Sequence, residues 1–150
     1  MWSSSIARVR DALAWCICCG LQRRFDIFWF GILYAVGGFA NGSILGTVDA
    51  YNPTTNSWTP KASMPTPRQD MGVGVINGVL YAVGGVSTPG VDEGSSAVEA
   101  YDPSTNSWTS KMSMPTARFG LAVPVVGASL YAVGGFHEPT ELNTVEEYQP

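Results

Sequence analysis

Leu33-Tyr34-Ala35-Val36-Gly37-Gly38 returns as Leu80-Tyr81-Ala82-Val83-Gly84-Gly85 and again as Leu130-Tyr131-Ala132-Val133-Gly134-Gly135, at offsets of 47 and 50 residues. Self-similarity at such a period marks a repeat architecture, in which each unit is one supersecondary element that buries its faces against its neighbours. A second block, residues 48–68, returns at residues 98–118 with 15 of 21 positions identical, and a third copy opens at Val145-Glu146-Glu147-Tyr148. The two offsets differ in one place. Gly38 to Val48 and Gly135 to Val145 each span ten residues, whereas Gly85 to Val98 spans thirteen. Everything outside that loop keeps its register.

Each unit reads as four strands. Residues 71–76 alternate glycine with valine, and Asn77-Gly78 is a strong signal for a two-residue hairpin turn. Residues 79–83 are apolar at every position, so neither face of that strand can meet water, as in a sheet held between two others. The glycine pair ends the strand, where a residue without Cβ tolerates positive φ or close approach of another backbone. Residues 97–101 form a third strand. Asp102-Pro103-Ser104-Thr105-Asn106 is turn chemistry, and Trp108 lies on a short outer strand at residues 107–109. Pro124 replaces Gly74 in the third copy, which makes the first strand of each unit an edge that needs no donor. The pairs Tyr51 with Trp58 and Tyr101 with Trp108 have the composition of a sugar-stacking platform. Their recurrence on sheet strands reads instead as inter-sheet packing, which buries large area.

Composition supports short strands joined by tight turns: 45% hydrophobic residues, only 13% charged, with 17 Gly and 10 Pro in 150 residues. Residues 31–150 carry ten acidic and four basic side chains, about −6, a sign that repels phosphate and argues against nucleic-acid binding. The basic residues there, Lys61, Arg68, Lys111 and Arg118, recur singly and make no patch. Cys16, Cys18 and Cys19 cluster near the start, so the repeats hold no disulfide framework. With His137 the sole histidine, no zinc spacing exists and no metal or cofactor is expected.

Residues 1–30 do not share the repeat pattern and are set apart from residues 31–150 as an atypical segment. Arg8 and Arg10 precede an apolar run over residues 12–21 that resembles a short signal-peptide core, yet Gln22-Arg23-Arg24 follows it and no small-residue cleavage site does. Leu13-Ala14-Trp15-Cys16 has a bulky Trp15 where a lipoprotein box needs a small residue. Ten apolar residues are too few to span a membrane, so no compartment is assigned.

The apolar strand ending in Gly-Gly, the Tyr, the Trp seven residues after it, and the trailing Met-Pro and Arg resemble the kelch repeat over residues 31–150, with units starting near Leu33, Leu80 and Leu130. The resemblance implies an all-β, kelch-type β-propeller fragment of three four-stranded antiparallel blades, the first and last incomplete, in a family whose rings hold five to seven. Arg24 to Leu33 spans only nine residues against twelve for Arg68 to Leu80, and residues 25–30 lack the glycine pattern, so the first inner strand is expected to be poor. Blades are stable because neighbours cover both faces. Three blades leave two faces open, each on the order of 500 Å², or roughly 12 kcal/mol of forfeited burial. Further blades from a longer chain, or self-association, are therefore expected to complete the ring.

Family resemblance also places ligand contacts on one face. That face is built from the loops between second and third strands (residues 39–47, 86–97 and 136–144) and the loops between blades (60–70 and 110–120). Phe39, Asn41, Asp92, Glu93, Phe136, His137 and Glu138 vary between copies, as recognition residues do, and Asp70 lies where peptide-capturing relatives place a pocket residue, though Gly120 replaces it in the next copy. Arg68 and Arg118 recur in place, which suits tying a loop down more than binding. Gly37, Gly38, Gly84, Gly85, Gly134 and Gly135 are structural with the Tyr–Trp pairs. Nothing forms a convergent acid–base pair, so the expectation is a non-catalytic module that presents loops to a partner protein. Two alternatives stay open: part of a sugar-acting or carbohydrate-binding propeller protein, and the substrate-recognition part of a cullin-type ubiquitin ligase adaptor, which requires a BTB or F-box domain. The triplet Asn41-Gly42-Ser43 also matches a glycosylation sequon, a weak signal.

Overall fold

The computed structural model describes the backbone of residues 25–29 and residues 31–91 and 93–150 in full. The expectations for the signal-like run, for Cys16, Cys18 and Cys19, and for Asp92 lie outside the described residues.

Three antiparallel sheets follow one another along the chain. The first contains β1 (Phe25–Trp29), β2 (Ile32–Ala40), β3 (Ser43–Asn52) and β4 (Ser57–Lys61) in that order. The second repeats the arrangement with β5 (Gly72–Ile76), β6 (Val79–Val83), β7 (Val98–Asp102) and β8 (Ser107–Ser110). In the third, β9 (Val125–Val126) and β10 (Ser129–Val133) precede a two-stranded ribbon of β11 (Phe136–His137) and β12 (Thr140–Glu141), and β13 (Val145–Tyr148) closes the sheet in the order β13-β10-β9. The first strand of every sheet is an edge, and Pro124 sits just before β9, which is shortened to two residues because proline cannot donate to the ladder. Asn77 and Gly78 have φ of 49° and 86°, the doubly left-handed turn that matches the twist of the strands it joins.

Two expectations are corrected. The first sheet is complete: β1 pairs along its whole length with β2, from Phe25 opposite Val36 to Trp29 opposite Ile32, across a turn in which Gly31 has φ 75°. A ladder needs backbone groups and an aromatic, β-prone run, and residues 25–29 supply both without the glycines of the later units. Residues 39–47 are also not an open loop in the first unit. Gly37 and Gly38 make a bulge instead of a stop, pairing resumes with Gly38 opposite Leu45, and Asn41-Gly42 turns the extended hairpin at φ 51° and 79°.

Packing explains the apolar middle strands. Tyr34, Val36, Val48 and Ala50 of the first sheet meet Leu80, Ala82 and Tyr101 of the second. Alternate residues of β6, Tyr81 and Val83, join Ile76, Val98 and Ala100 against Leu130 and Ala132 of the third. Strand β6 is therefore buried on both sides, with Leu80, Tyr81, Ala82 and Val83 all at or below 4% exposure.

Candidate interaction face at the loop end of the sheets

Short backbone bonds stitch the loops within each sheet to the loops between sheets. Gly38 N–H donates to Arg68 O at 2.8 Å, Met64 N–H to Gly46 O at 2.7 Å, and Arg68 N–H to Leu45 O at 3.2 Å. One unit on, Gly85 N–H donates to Arg118 O at 2.9 Å, Met114 N–H to Ser96 O at 2.8 Å, and Arg118 N–H to Ser95 O at 3.1 Å. Gln69 pairs with Val86 and Phe119 with Phe136 through two-way bridges, and Gly120 N–H donates to Asp70 O at 2.8 Å. The two kinds of loop thus form one continuous face. The glycine pairs permit this approach. A Cβ on Gly84, at φ 67°, would lie 2.5 Å from Arg118 O, and one on Gly37, at φ 59°, 2.5 Å from Arg68 O. Gly85, Gly134 and Gly135 share the left-handed backbone, at φ 96°, 62° and 95°.

Arg68 and Arg118 lie beneath this face and are wholly enclosed, at 0% exposure. Arg68 leaves the loop after the first sheet and enters the second, where its Nη2 meets Glu99 Oε2 at 2.8 Å and its Nη1 donates to Gly84 O at 2.7 Å and Ala97 O at 3.0 Å. Burial pulls its pKa below the usual guanidinium value, and the Glu99 charge opposes that pull. Arg118 repeats the joint with Glu146 at 2.7 Å, Gly134 O at 2.9 Å and Thr144 O at 3.3 Å. As candidate binding residues both are corrected: their donors are consumed by the next sheet, and neither reaches the surface.

The remaining candidates separate by exposure. Asn41, Glu93, His137 and Glu138 are exposed, while Phe39, Asp70 and Phe136 are half-buried. Phe136 packs edge-on against Phe119 with ring centroids 5.4 Å apart, and Asp70 adopts φ 51° beside the Gly120 link. Phe119 and Gln69, which follow the two arginines, are structural members of this face that reading the repeat did not single out. Their signal was positional only, because each stands directly after a residue whose role was legible. Residues 39–47, 86–97 and 136–144 contain no Lys or Arg, and Glu93, Glu138 and Glu141 are exposed on them, so these loops are acidic, while Lys61 and the exposed Lys111 lie on the loops between sheets.

The recurrent aromatics lie elsewhere. Tyr51 and Trp58 rings are 5.0 Å apart, and Tyr101 and Trp108 5.3 Å. Tyr51 and Tyr101 are buried and donate to Asn56 Oδ1 and Asn106 Oδ1, each at 2.8 Å. They pack sheets and hold turns; the side chain of Trp108 is spent on the seam with the first sheet, through Nε1–H to Ala62 O at 2.8 Å.

Face-packed antiparallel sheets of this order, inner strand at an edge and loops gathered at one end, are consecutive blades of a β-propeller. The Kelch motif model matches residues 31–65, 67–115 and 117–150, and the chain belongs to the kelch-repeat family. Among its relatives, Kelch-like ECH-associated protein 1A of Danio rerio is 52% identical over 60 residues, 37% of this chain and 10% of that protein. Influenza virus NS1A-binding protein of Homo sapiens is 46% identical over 55 residues, 37% of this chain and 9% of the relative. The matched stretch is thus about a tenth of each relative's length. The solved structure of YjhT superposes with a TM-score of 0.67 at 23% identity, covering 79% of this chain and 35% of that one, a likeness of fold.

Proposed function

We propose that this chain is a non-catalytic protein-interaction module that presents the stitched loop face to a partner protein. The observation that carries the reading is the division of labour within that face. The glycine pairs, Arg68 and Arg118 recur between copies and are turned inward to hold the loops, while Asn41, Glu93, His137 and Glu138 differ between copies and stand in solvent. A rigid frame with variable exposed tips is what recognition by loops requires. The acidic loop tips beside Phe136 and Phe119, with Glu93, Glu138 and Glu141, suit a partner segment with basic and apolar side chains and disfavour a nucleic acid. The names of two relatives, Kelch-like ECH-associated protein 1A and Influenza virus NS1A-binding protein, describe association with other proteins.

A second reading, the substrate-recognition part of a cullin-type ubiquitin ligase adaptor, draws on one observation. A similar stretch, 34% identical over 56 residues, occurs in a Kelch repeat and BTB domain-containing protein 1 of Cowpox virus. It needs a BTB or F-box region elsewhere in the same polypeptide.

The test is partner capture with the full chain and with a Glu93→Ala, His137→Ala, Glu141→Ala variant, whose three side chains are exposed. The reading expects a partner that the variant loses while its circular dichroism is unchanged. Capture that survives the triple change, or a partner that is retained only by residues outside this face, contradicts it.

A further inference from the structure

Three Thr-Pro dipeptides occur in the chain, Thr59-Pro60, Thr66-Pro67 and Thr88-Pro89, and the dipeptide alone does not rank them. Each meets the minimal requirement of a proline-directed protein kinase, whose pocket for the residue after the acceptor leaves a main-chain N–H without a partner. Proline has no N–H to strand there, whereas any other residue buries an unpaired donor. The structure separates the three. Thr59 lies within β4, where it pairs with Ala50. Thr66 is half-buried; its hydroxyl donates to Glu99 Oε1 at 2.8 Å and its carbonyl accepts from Arg68 Nε at 3.4 Å, so it belongs to the enclosed arginine joint. Thr88 is exposed, as are all of residues 87–91. It opens a turn in which Pro89 fixes one φ, Gly90 has φ 73°, and Val91 N–H donates back to Thr88 O at 3.4 Å. That bond is long and stands in solvent, so opening the turn costs little.

The loop that carries Thr88 is pinned at both ends. Gln69 and Val86 exchange bonds of 3.0 and 2.8 Å, Ser95 N–H donates to Gly85 O at 2.8 Å, and Arg118 N–H donates to Ser95 O at 3.1 Å. Gly85 to Val98 spans thirteen residues against ten in the other two units, so the extra length lies in the solvent-facing stretch and the sheets keep their register. We propose that Thr88 is a phosphorylation site for a proline-directed protein kinase. The Thr88 hydroxyl attacks the γ-phosphorus of ATP, the bond from that phosphorus to the bridging oxygen of the β-phosphate breaks, ADP leaves, and the hydroxyl proton passes to the kinase's base. The phosphate adds about −1.5 to −2 charges at neutral pH. Residues 86–97 contain no Lys or Arg, and Glu93 is exposed among them, so the phosphate meets no cation on its own loop. It raises the negative charge of the loop face instead of tying the loop down. The assignment rests on the three Thr-Pro environments and stands or falls apart from the protein-interaction function proposed above.

The experiment incubates the full 150-residue chain with magnesium-ATP and a purified proline-directed kinase of the cyclin-dependent class. Three peptides, residues 54–64, 61–71 and 83–93, are treated in parallel, and each phosphothreonine is followed by mass spectrometry. Thr88 in the chain is expected to react within about threefold of the rate of its peptide, whereas Thr59 and Thr66 in the chain are slowed about tenfold or more against theirs, because both must first be released from the fold. Thr88→Ala is expected to remove most of the phosphate taken up by the chain while leaving its circular dichroism unchanged. The proposal is overturned by absence of phosphate on Thr88 of the chain, by slowing of Thr88 equal to that of Thr59 and Thr66, or by a Thr88→Ala chain that takes up as much phosphate as the unaltered one.

Discussion

Arg68 is enclosed without being stranded: one carboxylate and the carbonyls of Thr66, Ala82, Gly84 and Ala97 surround its guanidinium, with contacts between 2.7 and 3.4 Å. Removing one partner of a buried pair leaves the other charged and unmatched, which costs about 3–5 kcal/mol. Arg68→Ala is therefore expected to lose that much by urea titration. Arg68→Lys should lose less but still measurably, since an ammonium cannot fork between Gly84 and Ala97. Tyr101 gives the pH dependence. Burial, reinforced by the nearby Tyr34 and Asp102, pushes its hydroxyl up to about 12, and burial raises Tyr34 and Tyr81 as well. The folded chain thus holds these protons more tightly than the unfolded one. The Tyr101 contribution is full below about pH 10, the ordinary phenol value, and is lost as pH rises through about 12, and those of Tyr34 and Tyr81 are likewise lost only above the ordinary phenol range. Tyrosinate absorbance followed with circular dichroism should show delayed ionisation that coincides with unfolding. Ionisation of all phenols near pH 10 with the fold intact would contradict this.

Strands and seams show what repetition alone could reveal. The Asn77-Gly78 turn, the doubly buried β6 and the edge position of the proline-shortened β9 were all legible, because each follows from local chemistry: two residues that accept positive φ, five apolar residues in a row, one missing donor. Strand β1 was not, since its pairing with β2 depends on tertiary alignment and its sequence lacks the glycine alternation of β5. The hairpin continuing beyond Gly38 was hidden for another reason: a glycine pair marks a bulge as readily as a strand end. The candidate face was half-legible. Repetition singled out Arg68 and Arg118, but their partners lie 31 and 28 residues away, so only packing could show that they join sheets. The tryptophans provide an internal control at this scale. Trp108 is locked into a seam, whereas Trp58, at the same repeat position, is 42% exposed. Trp108→Ala should cost about 3 kcal/mol, and Trp58→Ala about 1 kcal/mol or less, in parallel thermal or urea unfolding. Equal losses would mean that the seam contributes nothing special.

Across the whole molecule, each sheet supports the next and the outer faces differ from the inner ones. Ile76 and Val98 are 4% and 3% exposed beneath the third sheet, but their counterparts Val126 and Val145 on the far face of that sheet are 66% and 61% exposed. Glu147 stands there where Ala50 and Ala100 stand in the earlier units, accepting from the Tyr131 hydroxyl at 3.2 Å and from Gln149 at 3.0 Å. A carboxylate in that position makes the face more polar than its counterparts in the first two sheets. Stability should accordingly be graded, greatest in the middle sheet and least at the far face. Hydrogen exchange resolved along the chain measures this directly. The amides of Val79–Val83 should exchange slowest, those of β13 faster, and those of residues 87–91 and 137–141 fastest. Exchange of Val79–Val83 at the rate of those loops would contradict the doubly covered strand on which the stacked-sheet account rests.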